Sequence, residues 1–366
     1  MKLYISILFF WCGIVQAEQF LYPVAALDPA GQELLVVHQK SLDDIELWIW
    51  NAQTKYAYKG LLSAYMPAGI KMLPSGLGFS FIDQGRLRVK MFAKRSPRTI
   101  AMYEPIRNIS EIHWISDDAF YFSAQEGDVF NIFSCSTLGE LHRLTASECG
   151  DYLYPQKVGN ELFCIFRNQD IFNIVNFEWM LSDFESKSEV VQSQEVLSLD
   201  NSAAYLHMIS AEQGFYLEYP QVIDSQQETI EFVCHQIKKC DGAWSDEMLF
   251  SFRIPCEYIL GTESKRLYES VQPFLPNYTS QDLIVFVDAQ DHGLQLQCYN
   301  LINKSIDVFD YTISRSQASK SVFAPFVIEN KVFTGIISHD ERVQSSFVRS
   351  GDFDGIKEFE LPSFEL

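Results

Sequence analysis

Cys234-His235 and the nearby Cys240 form the tightest Cys/His grouping in the chain, and these residue types hold zinc when their spacing closes a tetrahedron. Their offsets match no common zinc module, so an incidental His at a strand end is the simpler reading. The seven histidines (His38, His113, His142, His207, His235, His292 and His339) stand singly, with no H-E-x-x-H pair. Asp352-Phe353-Asp354-Gly355 sets two carboxylates on one face of an extended segment. Calcium would need further oxygens at fixed offsets, so a solvated hairpin turn is expected there. Asp117-Asp118 and Asp43-Asp44 read as inter-strand turns for the same reason. Acyl transfer by serine needs a strained elbow such as G-x-S-x-G, which is absent, and no Gly-rich phosphate loop follows a strand. Gly69, Gly76 and Gly78 read as turn glycines. Asn108-Ile109-Ser110, Asn277-Tyr278-Thr279 and Asn303-Lys304-Ser305 are acceptors for N-glycosylation only in a eukaryotic secretory pathway. No catalytic, cofactor-binding or metal-binding residue is therefore assigned from sequence, and no cofactor is expected.

What must position any such groups is a chain of 366 residues, more than one ordinary core holds unless the architecture grows by repetition. Hydrophobic residues make up 47% and charged residues 21%, a balance that folds. With 28 Lys+Arg against 48 Asp+Glu the formal charge is −20. Nucleic-acid phosphates and anionic membrane surfaces both need a cationic footprint, so neither is expected as the main partner. Phe and Tyr, at 29 and 17 residues, favour strands.

The N-terminus reads as a secretory signal over residues 1–17. Met1-Lys2 is basic, Leu3 to Val15 is apolar, and Val15-Gln16-Ala17 is a small-x-small cleavage site. The apolar run is short for a membrane span and no second run of that length follows, so the mature chain is expected to span no membrane. Cys12 follows Phe9-Phe10-Trp11, a context unlike a lipidation site. The remaining cysteines are Cys135, Cys149, Cys164, Cys234, Cys240, Cys256 and Cys298, an odd set that leaves at least one thiol without a partner in the chain. Cys164 and Cys298 lie in strand-like runs, as buried thiols do. Cys234, Cys240 and Cys256 are the most plausible source of one local disulfide, because short loops close cheaply.

Across residues 18–366, beta-type stretches recur with turns between them, and no segment sustains a helical period. Seven loosely similar units open near Tyr22-Pro23-Val24, Tyr65-Met66-Pro67, Ile112-His113-Trp114, Tyr152-Leu153-Tyr154, Tyr205-Leu206-His207, Val271-Gln272-Pro273 and Val322-Phe323-Ala324. A continuous apolar strand follows in each, such as Gly78-Phe79-Ser80-Phe81-Ile82 or Leu283-Ile284-Val285-Phe286-Val287, then an alternating strand such as Asp128-Val129-Phe130-Asn131-Ile132-Phe133. Polar outer strands close the units, as in Leu141-His142-Arg143-Leu144-Thr145 and Lys357-Glu358-Phe359-Glu360. Apolar strands flanked by alternating ones suit small sheets sandwiched between two others. The fold class predicted is all-β, a propeller of four-stranded antiparallel blades, with a β-sandwich as competitor. The blade count is seven, with six as the alternative, because the irregular stretch between Tyr205 and Val271 holds either an insertion around Lys239 to Lys265 or a misjudged unit.

One unit carries a family signature. Trp114-Ile115-Ser116-Asp117-Asp118 precedes the strand Ala119 to Ser123, then Asp128-Val129-Phe130-Asn131-Ile132-Phe133 and Leu141-His142-Arg143-Leu144-Thr145. This resembles the repeat of TolB-type, WD40-like propellers, which runs W-S-P-D-G, an apolar strand, a D-I-Y-like strand and R-x-L-T. Ile115 and Ser116 shift the turn, and Gly is missing after Asp118. TolB carries an α/β domain ahead of a six-bladed propeller, whereas these repeats start directly after the signal. The resemblance is to the propeller repeat, and it implies a bacterial envelope setting.

These readings converge on an exported scaffold, periplasmic or secreted, that binds a protein partner and performs no catalysis. The charge favours a basic partner and salt-sensitive association, and a monomer is expected. The alternative is a propeller lyase or glycosidase acting on a glycan at the channel mouth, which would need convergent His, Arg, Tyr and carboxylate groups there.

Overall fold

The computed structural model describes residues 24–27, 33–41, 44–51, 56–63, 68–75, 77–83, 86–91, 98–100, 107–169, 171–178, 194–199, 202–219, 229–255, 275–278, 282–291, 293–314, 322–328, 331–336 and 356–360. The signal segment 1–17 lies outside them, as do Asp352 to Gly355 and Cys256. Strands β1 (Val24–Leu27), β2 (Glu33–Ser41), β3 (Asp44–Asn51) and β4 (Tyr56–Ser63) form the first sheet. The second contains β5 (Ala68–Met72), β6 (Gly78–Asp83), β7 (Arg86–Met91) and β8 (Arg98–Thr99). The third contains β9 (Arg107–Ser116), β10 (Ala119–Glu126), β11 (Val129–Ser136) and β12 (Leu141–Arg143). Then come β13 (Asp151–Val158), β14 (Glu161–Asn168), β15 (Ile171–Glu178) and β16 (Gln194–Leu199) in the fourth sheet. The fifth has β17 (Ser202–Ser210), β18 (Gln213–Tyr219), β19 (Thr229–Cys240) and β20 (Ala243–Pro255). The sixth has β21 (Asn277–Tyr278), β22 (Leu283–Gln290), β23 (Gly293–Asn300) and β24 (Ser305–Ser314). The seventh has β25 (Val322–Ile328), β26 (Lys331–Ile336) and β27 (Ile356–Glu360).

Each sheet is an antiparallel meander of consecutive strands. Among the described residues all regular structure is strand, and no helix is long and apolar enough to cross a membrane. The opening strands follow one another around an axis: β1 lies against β5, β5 against β9, β9 against β13, and β13 against β17. Tyr205 of β17 packs in one cluster with Leu275 and Tyr278, β21 lies against β25, and β25 returns to β1. That cyclic order distinguishes a propeller from two stacked sheets. The segment 356–360, expected as a fourth strand, pairs directly with β26 and takes third place.

Alternation along each second strand explains why the sheets stack. Phe120, Phe122 and Ala124 of β10 pack towards Leu87, Val89 and Ile100 of the second sheet, whereas Tyr121 turns to Leu162 and Cys164 of the fourth. On the fifth sheet, Phe232, Cys234 and Phe252 meet Ile284 and Phe286 of the sixth. Tyr216 and Ile237 face Phe163 and Ile165 of the fourth. A strand buried on both faces reads as a continuous apolar run, as these do.

The irregular spacing after Tyr205 is explained by strand length, at least as far as Pro255. β19 and β20 have 12 and 13 residues and pair from Thr229↔Pro255 to Cys240↔Ala243. Asp241 (φ 54°) and Gly242 (φ 83°) turn the hairpin with both residues left-handed, the geometry that Asp-Gly supplies. Trp244 folds back edge-on to Phe163, 5.9 Å between centroids, bracing this extension on the fourth sheet. The strand segment beyond residue 237 is thus attached to its neighbour.

Gly78 opens β6 and is not a turn residue, while Gly69 lies within β5. A Cβ at Gly78 would stand 2.4 Å from the Lys90 carbonyl oxygen and 3.0 Å from the Met91 Cα. Backbone cannot yield as a side chain can, so Gly78→Ala must pry β6 from β7. We expect a loss of about 1–3 kcal/mol, the cost of overpacking. Denaturant unfolding of the variant checks this, and an unchanged midpoint would show that the two strands separate freely.

Candidate functional site

The structure disperses the groups that sequence spacing placed together. Cys234 is buried towards the sixth sheet, while its neighbour His235 lies on the opposite face, because successive strand residues alternate. Cys240 is exposed at the hairpin end, and both Cys234 and Cys240 are free thiols. Pro255, the last residue of β20, pairs at the end of the hairpin farthest from Cys240. A disulfide between Cys234 and Cys240 is thereby overturned. Cys135, Cys164 and Cys298 are buried free thiols, and burial pushes Cys135 and Cys298 up to about 12 and Cys164 well above its ordinary range. Such thiols are poor nucleophiles. Among the described residues no group of three or more His, Cys, Asp and Glu is arranged to hold a metal ion.

His235 makes contacts that hold strands together. Its Nδ1 lies 3.2 Å from Asp246 Oδ2, and its ring stacks on Tyr216 at 4.7 Å. The Tyr216 hydroxyl donates to the same Asp246 oxygen at 3.2 Å. Glu218 Oε2 stands 3.0 Å from Nε2, although that nitrogen makes no aligned hydrogen bond. The group ties β18, β19 and β20 to one another, away from the axis.

The family-like unit of the third sheet is likewise occupied at the seams. Trp114 Nε1 donates to Ser80 Oγ of the second sheet at 2.7 Å, and Asp117 Oδ1 accepts the Ser75 amide at 2.9 Å. Thr145 Oγ1 accepts the Ile132 amide at 2.9 Å and donates to Asn131 Oδ1 at 3.0 Å, docking the R-x-L-T segment onto β11. Ser123 Oγ donates to the Tyr152 carbonyl of the fourth sheet at 2.6 Å. Asp151 accepts the Phe130 amide at 2.8 Å and the Arg167 guanidinium at 2.5 Å. The bonds of Trp114 to Ser80, Ser123 to Tyr152 and Asp151 to Phe130 cross from one sheet to the next and so set their relative rotation. Trp114→Phe keeps a ring against Phe120 (4.8 Å) but deletes the bond to Ser80, so about 1 kcal/mol of stability should be lost. Ser80→Ala in the same background should add little, and a fully additive double variant would show the bond contributes nothing.

A different set of residues converges at the axis. Lys71, His113, Lys157 and His207 stand on β5, β9, β13 and β17, the opening strands of four successive sheets. Lys71, His113 and His207 are equivalent in register, pairing with Ser80, Tyr121 and Phe215, each third in its second strand. Lys157 pairs with Leu162, second in its strand, and that one-residue offset turns it to the opposite face, towards the third sheet and His113. Shifts in register fall just before Lys71, before Lys157 and before His207, and on both sides of His113. Bulges of this kind re-aim side chains. The His113 ring donates to the Lys157 carbonyl, and the His207 ring stacks parallel to Tyr205 (6.2 Å, 7°).

Both imidazoles are mostly buried, and burial above all lowers each to about 4. Lys71 lowers both further, and Lys157 and His207 act on His113 in the same sense. Lys71 on the second sheet therefore influences His207 on the fifth, which places them across the axis from one another. Near neutral pH the imidazoles are uncharged and can donate or accept, with the ammonium groups supplying positive potential. Sequence spacing gave no hint of this: Lys71 and His207 are 136 positions apart (207 minus 71). A basic or imidazole residue recurring at one register position of the opening strands was the available signal.

No protein-family model matches the chain, and no curated protein is similar to it in sequence. Solved structures are similar in fold. A Mycobacterium tuberculosis puromycin-hydrolysing peptidase matches with a TM-score of 0.60 at 11% identity, covering 86% of this chain and 48% of its own. The chain thus spans about half of that enzyme. A putative TolB from Agrobacterium tumefaciens (TM-score 0.47, 15% identity) covers 63% of this chain and 81% of its own. TolB from Acinetobacter baumannii (0.48, 8%) covers 78% and 65%. At these identities the likeness concerns the fold alone.

Proposed function

We propose that the protein is an exported β-propeller scaffold that receives a segment of a partner protein at the mouth of its central channel, as a monomer and without catalysis. The convergence of Lys71, His113, Lys157 and His207 from four opening strands carries this reading, because a rigid ring of sheets can hold such groups in place without a ligand. The charged groups acting on the two imidazoles among the described residues are lysines and, on His113, the second imidazole. A glycosidase would need a pair of carboxylates in that company, one as acid and one as base or nucleophile. The signal-like residues 1–17 and the TolB-like unit support a periplasmic or secreted location, and the formal charge of −20 suits a partner with a basic body. Affinity capture from envelope extract at low and moderate salt tests the proposal. Recovery of one protein partner, weakened by salt, is expected; recovery of none under both conditions would overturn it.

A further inference from the structure

The channel cluster has a chemistry opposite to that of the molecule around it. The chain carries a formal charge of −20, yet among the described residues the groups that meet around the axis are two ammonium and two imidazole side chains. Lys71, His113 and His207 occupy matching register positions and so stand at one level of the ring. Lys157, one residue out of that register, faces the third sheet, where its carbonyl accepts from the His113 ring. Resting on the scaffold reading, we infer that this level of the channel is a carboxylate-binding site, and that the inserted partner segment carries an Asp or Glu side chain into it.

The chemistry follows from what each group can donate. A lysine ammonium offers three donors and a neutral imidazole one N–H, and a carboxylate accepts at about four lone-pair positions. The His113 ring already donates to the Lys157 carbonyl, so its other nitrogen faces the ligand as an acceptor until it gains a proton. Among the described residues, Lys71, Lys157 and the His207 N–H are the direct donors. Among them Lys71 also has other contacts, so an arriving carboxylate would share it. Placing like charges together in a half-buried channel is unfavourable, and an anion relieves that repulsion. Tyr205, stacked on His207, fixes the plane of that ring. The acidic exterior repels a wholly acidic partner, so the segment that fits is an acidic residue on an otherwise basic or neutral loop.

The experiment uses the whole protein and two small probes, N-acetyl-glutamyl amide and N-acetyl-glutaminyl amide, which differ in one charged group. Ring resonances of His113 and His207 are followed by NMR during titration, with the exposed His142 as an internal control. The glutamyl probe should shift both channel histidines saturably, with the glutaminyl probe at least ten-fold weaker and His142 unmoved. Lys157→Met should weaken the glutamyl probe at least ten-fold, and Lys157→Arg should restore most of it, which a variant that had merely misfolded would not. Equal response to both probes, no response to either, or full binding by Lys157→Met would overturn the carboxylate site. Partner capture is independent of these outcomes, so a failed titration leaves the scaffold reading standing, and failed capture with a successful titration does the reverse.

Discussion

Phe286→Ala should lower the unfolding free energy by about 3–5 kcal/mol, through lost transfer energy and the cavity left behind. Phe286 is fully buried on β22 and stacks on Phe250 at 4.3 Å, with Phe252 at 5.8 Å. Both partners belong to the fifth sheet, so the ring fills the seam between two sheets. Stability in a ring of sheets resides in such seams, because a four-stranded sheet alone cannot cover its own apolar faces. Ile306→Ala is the matching control. Ile306 is 46% exposed on the outer strand β24, and its loss should change stability by no more than about 0.5 kcal/mol. Urea unfolding of the two variants measures both, and a Phe286→Ala cost below about 1 kcal/mol would mean that the fifth and sixth sheets do not pack as described.

Acidification from pH 6.5 to 4 should remove about 3 kcal/mol of stability for each channel histidine, on the order of 6 kcal/mol for the pair. Burial, reinforced by Lys71, holds His113 and His207 down to about 4 from the ordinary 6.5. Between those values the unfolded chain binds the protons and the folded one refuses them. The contribution is therefore complete above pH 6.5, declines as pH falls through the window, and is spent below pH 4. Asp288 on β22 acts in the other direction, since burial raises its carboxyl and a folded state that holds a proton more readily gains as pH falls. A His113→Gln, His207→Gln double variant isolates the imidazoles. Its unfolding free energy should fall much less than the parent's between pH 7 and 4.5, and parallel curves would refute the buried, neutral histidines.

Sheet membership was legible in the sequence because strand periodicity is local. Continuous apolar runs such as Leu283 to Val287 are buried on both faces, and alternating runs such as Asp128 to Phe133 sit beside them, as the pattern predicted. The Trp114 to Thr145 signature was equally legible, although its role emerged only from contacts. Its Trp and Asp hold the seam to the second sheet and its Thr docks its own segment onto β11, so a motif that names a fold says little about a site.

Local spacing misled where chemistry was concerned. Cys234, His235 and Cys240 are neighbours in sequence and point apart in space, because a pleated strand sends adjacent side chains to opposite faces. Lys71, His113 and His207 are far apart in sequence yet take one register position on their opening strands, and Lys157 adjoins His113 from the next strand, because closing the ring brings separate sheets around one centre. The sequence alone therefore determined the all-β composition, the repeat and the acidic surface. Which of the described charges face the axis, and that these are cationic, was decided only when separate sheets were arranged around a common centre, since no local period encodes distance across a ring.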